Sequence, residues 1–166
     1  MTAEERAALD RLTTADSKHR YSAIIAIGKA FLTNLAPAIE PYLRDPDPEL
    51  RSAAIRTLGF YWCLPAYRAV AEVMMRDEPD EHARAVAVMA WTSYEHATRN
   101  LDALRRLHAI ANDEAEAETV RDQAFRSFFT VFLPDGVGHP KSSYRWFDKR
   151  ANRERLEAAL KELGDL

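Results

Sequence analysis

The chain of 166 residues is short of several things, and each shortage narrows what it can be. Cysteine occurs once, at Cys63, so neither an intrachain disulfide nor a zinc cluster of cysteines can form. Glycine is scarce, and no Gly-rich phosphate loop is present. No apolar run approaches the ~20 residues of a membrane span. The opening stretch "MTAEERAALDRLTT" is charged and lacks the apolar centre of a signal peptide. These features predict a cytoplasmic protein without a membrane contact. An excess of positive charge is also missing. The net charge is -3, which speaks against a protein dedicated to nucleic acid and leaves a protein partner open. The five histidines, His19, His82, His96, His108 and His139, show no His-x-x-x-His spacing and no HExxH. No Ser-His-Asp arrangement or paired-carboxylate motif stands out. The expectation is a non-enzymatic chain with no catalytic residue, no metal site and no cofactor.

What the chain has in quantity is Ala, Leu, Arg and Glu, a balance that favours helix. The stretch "RDPDPELRSAAIRTLG" (Arg44 to Gly59) shows how the helices are punctuated. Pro46 ends what precedes it, because the residue before a proline disfavours the α region. Asp47 is a good N-cap, Pro48 suits the first helical position, and Glu49 suits the positive helix end. Ala54, Ile55 and Leu58 then form one apolar face. The same register recurs at Arg20, Arg51, Arg84 and Arg121, which are 31, 33 and 37 residues apart. Three residues after each arginine stands alanine (Ala23, Ala54, Ala87, Ala124). Four after stands Ile24, Ile55, Val88 or Phe125, and seven after stands Ile27, Leu58, Trp91 or Phe128. Four before lies Asp16, Asp47 or Asp80, with Ala117 in the fourth case. A period in the thirties is the signature of stacked supersecondary units.

Second helices lie between these first ones. "LAPAIEPYLRD" (Leu35 to Asp45) has Pro41 near its middle, "PAYRAVAEVMMRD" starts at Pro65, and "NLDALRRLHAIAND" is capped by Asn100. The pattern predicts an all-α fold of about four stacked αα-hairpins in a single domain. Its parts are an N-terminal capping helix over 1–15, units over 16–45, 46–77, 78–113 and 114–133, a loop over 134–142, and a C-terminal capping helix over 143–166. The first segment carries a Thr2–Glu5 capping box. The last carries an apolar stripe of Leu156, Ala159, Leu160 and Leu163, stopped at Gly164.

"LRDPDPELRSAAIRTLG", followed by "PAYRAVAEVMMRDEPDEHARAVAVM", resembles HEAT repeats, and most of all the HEAT-like repeats of phycobilisome lyases. The resemblance covers about 16–130. It implies a right-handed α-solenoid, with first helices on the convex side and second helices on the concave side. It also implies that Asp45 or Asp47, together with Arg51, knits adjacent turns. Arg20, Asp47, Arg51, Asp80, Arg84 and Arg121 then form a structural ladder rather than a phosphate site.

The residues left over from the ladder are candidates for contact. "GFYWCLP" places Phe60, Tyr61 and Trp62 in a row, and consecutive helical positions cannot all face a core, so at least one reaches the edge, either to meet a partner or to cover a gap between repeats. Tyr61 aligns with Tyr94. Arg68, Glu72 and Arg76 share one helix face, and Arg105, His108 and Asn112 run similarly in the next unit. The alternative for these rows is a solvated, salt-bridged face. "KSSYRWFDKRANRER" (Lys141 to Arg155) interleaves six basic residues with Tyr144, Trp146 and Phe147. It reads either as a nucleic-acid contact or as a capping helix packed by its aromatics. The resemblance implies a protein-binding module, an adaptor, scaffold or inhibitor, with Tyr61, Trp62, Arg68, Glu72, Arg76, Tyr94, Arg105 and His108 as contacts. The alternatives are a relative of HEAT-like DNA glycosylases and a lyase- or chaperone-like helper of a cofactor protein.

Overall fold

Side-chain oxygens on backbone amides set where the helices begin. In the computed structural model, which describes residues 1–132 and 150–164, α1 (Ala3–Thr14) opens on a complete capping box. The Thr2 hydroxyl accepts the Glu5 N–H at 3.1 Å, and the Glu5 carboxylate accepts the Thr2 N–H at 2.6 Å. Asp16 caps α2 (Ser17–Lys29) by accepting the His19 N–H at 3.0 Å. Asp47 caps α4 (Pro48–Ile55) on the Glu49 N–H at 2.9 Å. Asp80 caps α6 (Glu81–Ser93) on the Ala83 N–H at 2.9 Å. Asn100 caps α7 (Leu101–Asn112) on the Asp102 and Ala103 amides. The second helix of the first hairpin is fragmented. Its α-helical part, α3, is only Ala36–Ile39, flanked by 3-10 turns Thr33–Leu35 and Glu40–Arg44. Pro37 and Pro41 each remove an N–H that a continuous ladder would need. A 3-10 turn, Pro65–Tyr67, leads into α5 (Arg68–Asp77). Two further helices, α8 (Glu118–Phe132) and α9 (Arg150–Glu162), complete the all-helical set; the described residues contain no strand.

One helix departs from the regular period that its sequence suggests. After Ile55 the chain widens into a π-helix over Arg56–Tyr61, and the Trp62 N–H reaches back five residues to the Thr57 carbonyl at 3.1 Å. The chain then leaves with Cys63 in the left-handed region, at φ 47. Phe31 (φ 55) and Ala97 (φ 53) take the same conformation after α2 and α6. Glycine is the usual residue there, and each side chain costs about 1 kcal/mol.

Contacts divide the chain into two compact units, Met1–Trp91 and Thr92–Leu166. In the first, α1 lies on α2, α2 lies on α4 and the π-helix, and α4 lies on the Glu40–Arg44 turn. Leu12, Ile24, Ile27, Ile39, Leu50 and Leu58 fill its interior. At Gly28 α2 lies so close to the π-helix that a Cβ there would stand 2.7 Å from both Thr57 Oγ1 and Tyr61 Cδ2. In the second unit α7 packs on α8, around Phe125, Phe128, Phe129 and Phe132. The Ala97 and Arg99 amides close the last turn of α8 on the Thr130 and Val131 carbonyls, at 2.9 and 3.0 Å. Arg99 covers the Phe132 ring and reaches Glu162 at 2.6 Å, and Arg155 of α9 lies over Phe129. Leu156 and Ala159 of the α9 stripe are buried, and Gly164 ends it at φ 80. The repeat register is visible in the interior. Ile24, Ile55, Val88 and Phe125 are all fully buried. The expected 134–142 loop, and Tyr144, Trp146 and Phe147 of the basic segment, lie outside the described residues.

Candidate functional site

Three of the four register arginines, Arg20, Arg51 and Arg84, turn inward to their own entry turns. Arg20 donates to the Ala15 carbonyl at 2.8 Å, and Arg51 to the Asp45 and Pro46 carbonyls at 2.8 and 3.0 Å. Arg84 donates to the Glu78 carbonyl at 2.5 Å, and Arg121 to the Ala111 carbonyl at 3.2 Å. Arg20, Arg51 and Arg84 thus satisfy carbonyls that the chain exposes on its way into a first helix, whereas Arg121 reaches a carbonyl in the last turn of α7. The link between successive turns uses a residue that sequence reasoning missed. Arg51 forks onto Glu78, Nε to Oε2 at 2.9 Å and Nη2 to Oε1 at 2.6 Å. Glu78 also accepts the Asp80 N–H at 3.0 Å. Asp45 and Asp47, implied as joints, instead serve their own turn: Asp45 accepts the Asp47 N–H at 2.9 Å, and Asp47 caps α4. Burial pushes the Glu78 carboxyl up, but the Arg51 fork and the Asp80 amide outweigh it and hold the group below the usual carboxylate range. Glu78 could have been found as the acid standing six residues before Arg84, where Asp45 stands before Arg51.

The candidate contact residues divide. Trp62 is buried, and its indole N–H donates to the Gly28 carbonyl at 2.9 Å. It covers the gap between the first and second hairpins rather than facing a partner. Tyr61 is half-buried against Gly28, with its ring 5.5 Å from that of Phe60. Phe60, which carried no assignment of its own, is the exposed ring of the row. The π-helix explains the miss: its wider turn changes which of three consecutive aromatics faces out. Arg68 is exposed and Glu72 half-buried on α5, and Arg76 forks onto its neighbour Asp77 at 2.8 Å through both nitrogens. In the second unit Tyr94 is half-buried just past α6, and Arg105 pairs with Asp102 at 3.1 Å. His108 lines a polar cleft of about 450 Å³ with Asn112, Arg121 and Leu156.

A more apolar hollow lies beside the charged row of α5. Leu43 and Arg44 of the 3-10 turn, with Ala69, Val70, Val73 and Met74 of α5, line a half-open cavity of about 390 Å³. Val73 is 49% exposed inside it. Glu40 rims one end, and its carboxylate accepts the Tyr67 hydroxyl at 3.2 Å. Burial, and then the Glu40 charge, push that phenol above its usual range. The signal in the sequence was the width of the apolar face. Six of the ten residues of α5 are apolar, more than one buried stripe requires. Another hollow, about 530 Å³, runs between α1 and α2 and is lined by Ala8, Ala23, Ala26, Ile27 and Ala30 among others. Among the described residues no group of three or more His, Cys, Asp or Glu stands close enough to hold a metal, and no helix is long and apolar enough to cross a membrane.

A search of curated proteins and a search of solved structures returned no match. The profile that describes HEAT repeats matches residues 5–92, more than half of the chain. The match runs from the capping box of α1 through the joint of Arg51 and Glu78 to the end of α6. With paired helices, a recurrent capping acid and a register arginine in each unit, the chain belongs to the HEAT repeat family.

Proposed function

We propose that the protein is a non-catalytic interaction module that binds another protein through the second-helix face of its repeats and the aromatic edge at the ends of its first helices. HEAT repeats are commonly protein-interaction modules. The observation that carries the reading is the apolar hollow between the Glu40–Arg44 turn and α5. There Val73 is held half in water beside Leu43, Val70 and Met74, with a cation at one rim. An exposed apolar surface rimmed by polar groups is what a partner side chain fills. Arg44 is exposed and has no ion pair or hydrogen bond among the described residues, so its charge is open to a carboxylate.

The test is affinity capture from native lysate with wild-type protein and with Val73→Asp, read by quantitative mass spectrometry. The expected result is one stoichiometric partner that falls about tenfold with the variant, while the helical circular dichroism stays the same. A partner retained equally by both proteins would remove the hollow from the binding surface.

A further inference from the structure

One edge of the first unit combines three features that packing does not require. Phe31 is 64% exposed and sits in the left-handed region, where glycine would relieve the strain. Phe60 is 40% exposed at the end of the π-helix, and its ring meets that of half-buried Tyr61. The two segments are tied at one atom: the Gly28 carbonyl accepts both the Phe31 N–H at 3.1 Å and the Trp62 indole at 2.9 Å. The rings therefore stand on a fixed edge and need no reordering to be presented.

Each of the two segments also carries an unpaired cation. Lys29 lies two residues before Phe31, and Arg56 lies one helical turn before Phe60. Among the described residues neither has an ion pair or a hydrogen bond. No Asp or Glu occurs in 17–39 or in 50–71. In a protein of net charge -3 each exposed ring thus follows an unpaired cation in its own segment, exposed Lys29 and half-buried Arg56, while the nearby Glu5 of α1 is spent on the Asn34 amide at 2.9 Å.

We infer that this edge docks an acidic polypeptide segment that carries apolar or aromatic side chains. The inference rests on the protein-binding reading above and names the partner chemistry at its aromatic edge. In each segment a cation precedes an exposed ring, so the matching ligand combines apolar groups with carboxylates. A nucleic-acid strand fits less well, because two cations on a chain of net negative charge are few against a phosphate backbone.

Fluorescence anisotropy tests it with three labelled probes: a twelve-residue peptide alternating Glu with Leu and Phe, the same peptide with Lys for Glu, and a twelve-residue thymidine oligonucleotide. The acidic peptide binds and the basic one does not. Phe60→Ala and Lys29→Glu each weaken binding by about tenfold. Phe31→Gly weakens it similarly while raising the melting temperature, a combination that damage to the fold cannot give. Val73→Asp leaves it unchanged. Absence of acidic-peptide binding, or equal binding by the edge variants, overturns the inference. Tighter binding of the oligonucleotide overturns the polypeptide class. Loss with Val73→Asp alone leaves the hollow as the binding surface and removes the edge.

Discussion

Arg20 and Arg51 hold the same register position in consecutive repeats, and both donate to a carbonyl of their own entry turn. Their other edges differ. Arg51 forks onto Glu78 of the following turn, whereas Arg20 lies over the Tyr42 ring, 5.9 Å from its centre, and its Nε is buried with no acceptor. The acid in the following turn is Asp45 for Arg20 and Glu78 for Arg51. Both carboxylates accept the N–H two residues on, at 2.9 and 3.0 Å. Glutamate has one methylene more, and with it Glu78 serves its own turn and still meets the guanidinium behind it. The joint between repeats is therefore set by side-chain length as well as by charge.

The largest effect expected is from breaking the complete joint. Glu78→Ala leaves Arg51 partly buried without its counter-ion and lowers stability by roughly 3 kcal/mol in chemical denaturation. Glu78→Asp, which recreates the geometry of Asp45, loses less. If Glu78→Ala matches wild type, the fork contributes nothing. Acid comes next. The Glu78 carboxyl is held low in the fold, so its contribution is complete above the unfolded carboxylate value, about 4.3, and is lost as pH falls through the lower folded value. Denaturation midpoints of wild type and Glu78→Gln should therefore differ most near pH 6 and converge towards pH 3. A constant gap across that range contradicts the assignment. The smallest effect sharpens the comparison from the other side. Asp45→Glu offers Arg20 the missing methylene and should raise stability by up to about 1 kcal/mol in thermal melting. No change would mean that length is not what separates the two joints.

Much of this was legible in the residues, because caps and register depend on local chemistry. Asp16, Asp47, Asp80 and Asn100 start helices as their side chains require, and the apolar columns four and seven residues after each arginine are buried. Pro41 announced a break whose form, two 3-10 turns around one α-turn, only the fold could decide. The candidate site was less legible. Three aromatics in a row can be phased only if the helix keeps its period, and the π-helix exchanges which one is covered. Trp62 went inside and Phe60 stayed out. The hollow at Val73 was hidden for another reason: Val73 lies exposed beside buried Met74, opposite the broken turn Glu40–Arg44, and the helical period of α5 carries no mark of what stands opposite it.

Trp62 also gives the molecule an optical gauge. Its indole is buried at the contact between the first two hairpins, and its N–H is spent on a carbonyl of the other hairpin. Any opening between them hands the ring to water and red-shifts its emission, which is read alone once Trp91 and Trp146 are replaced by phenylalanine. In that background the residue that closes the gap reports, without a label, on whether the gap is closed.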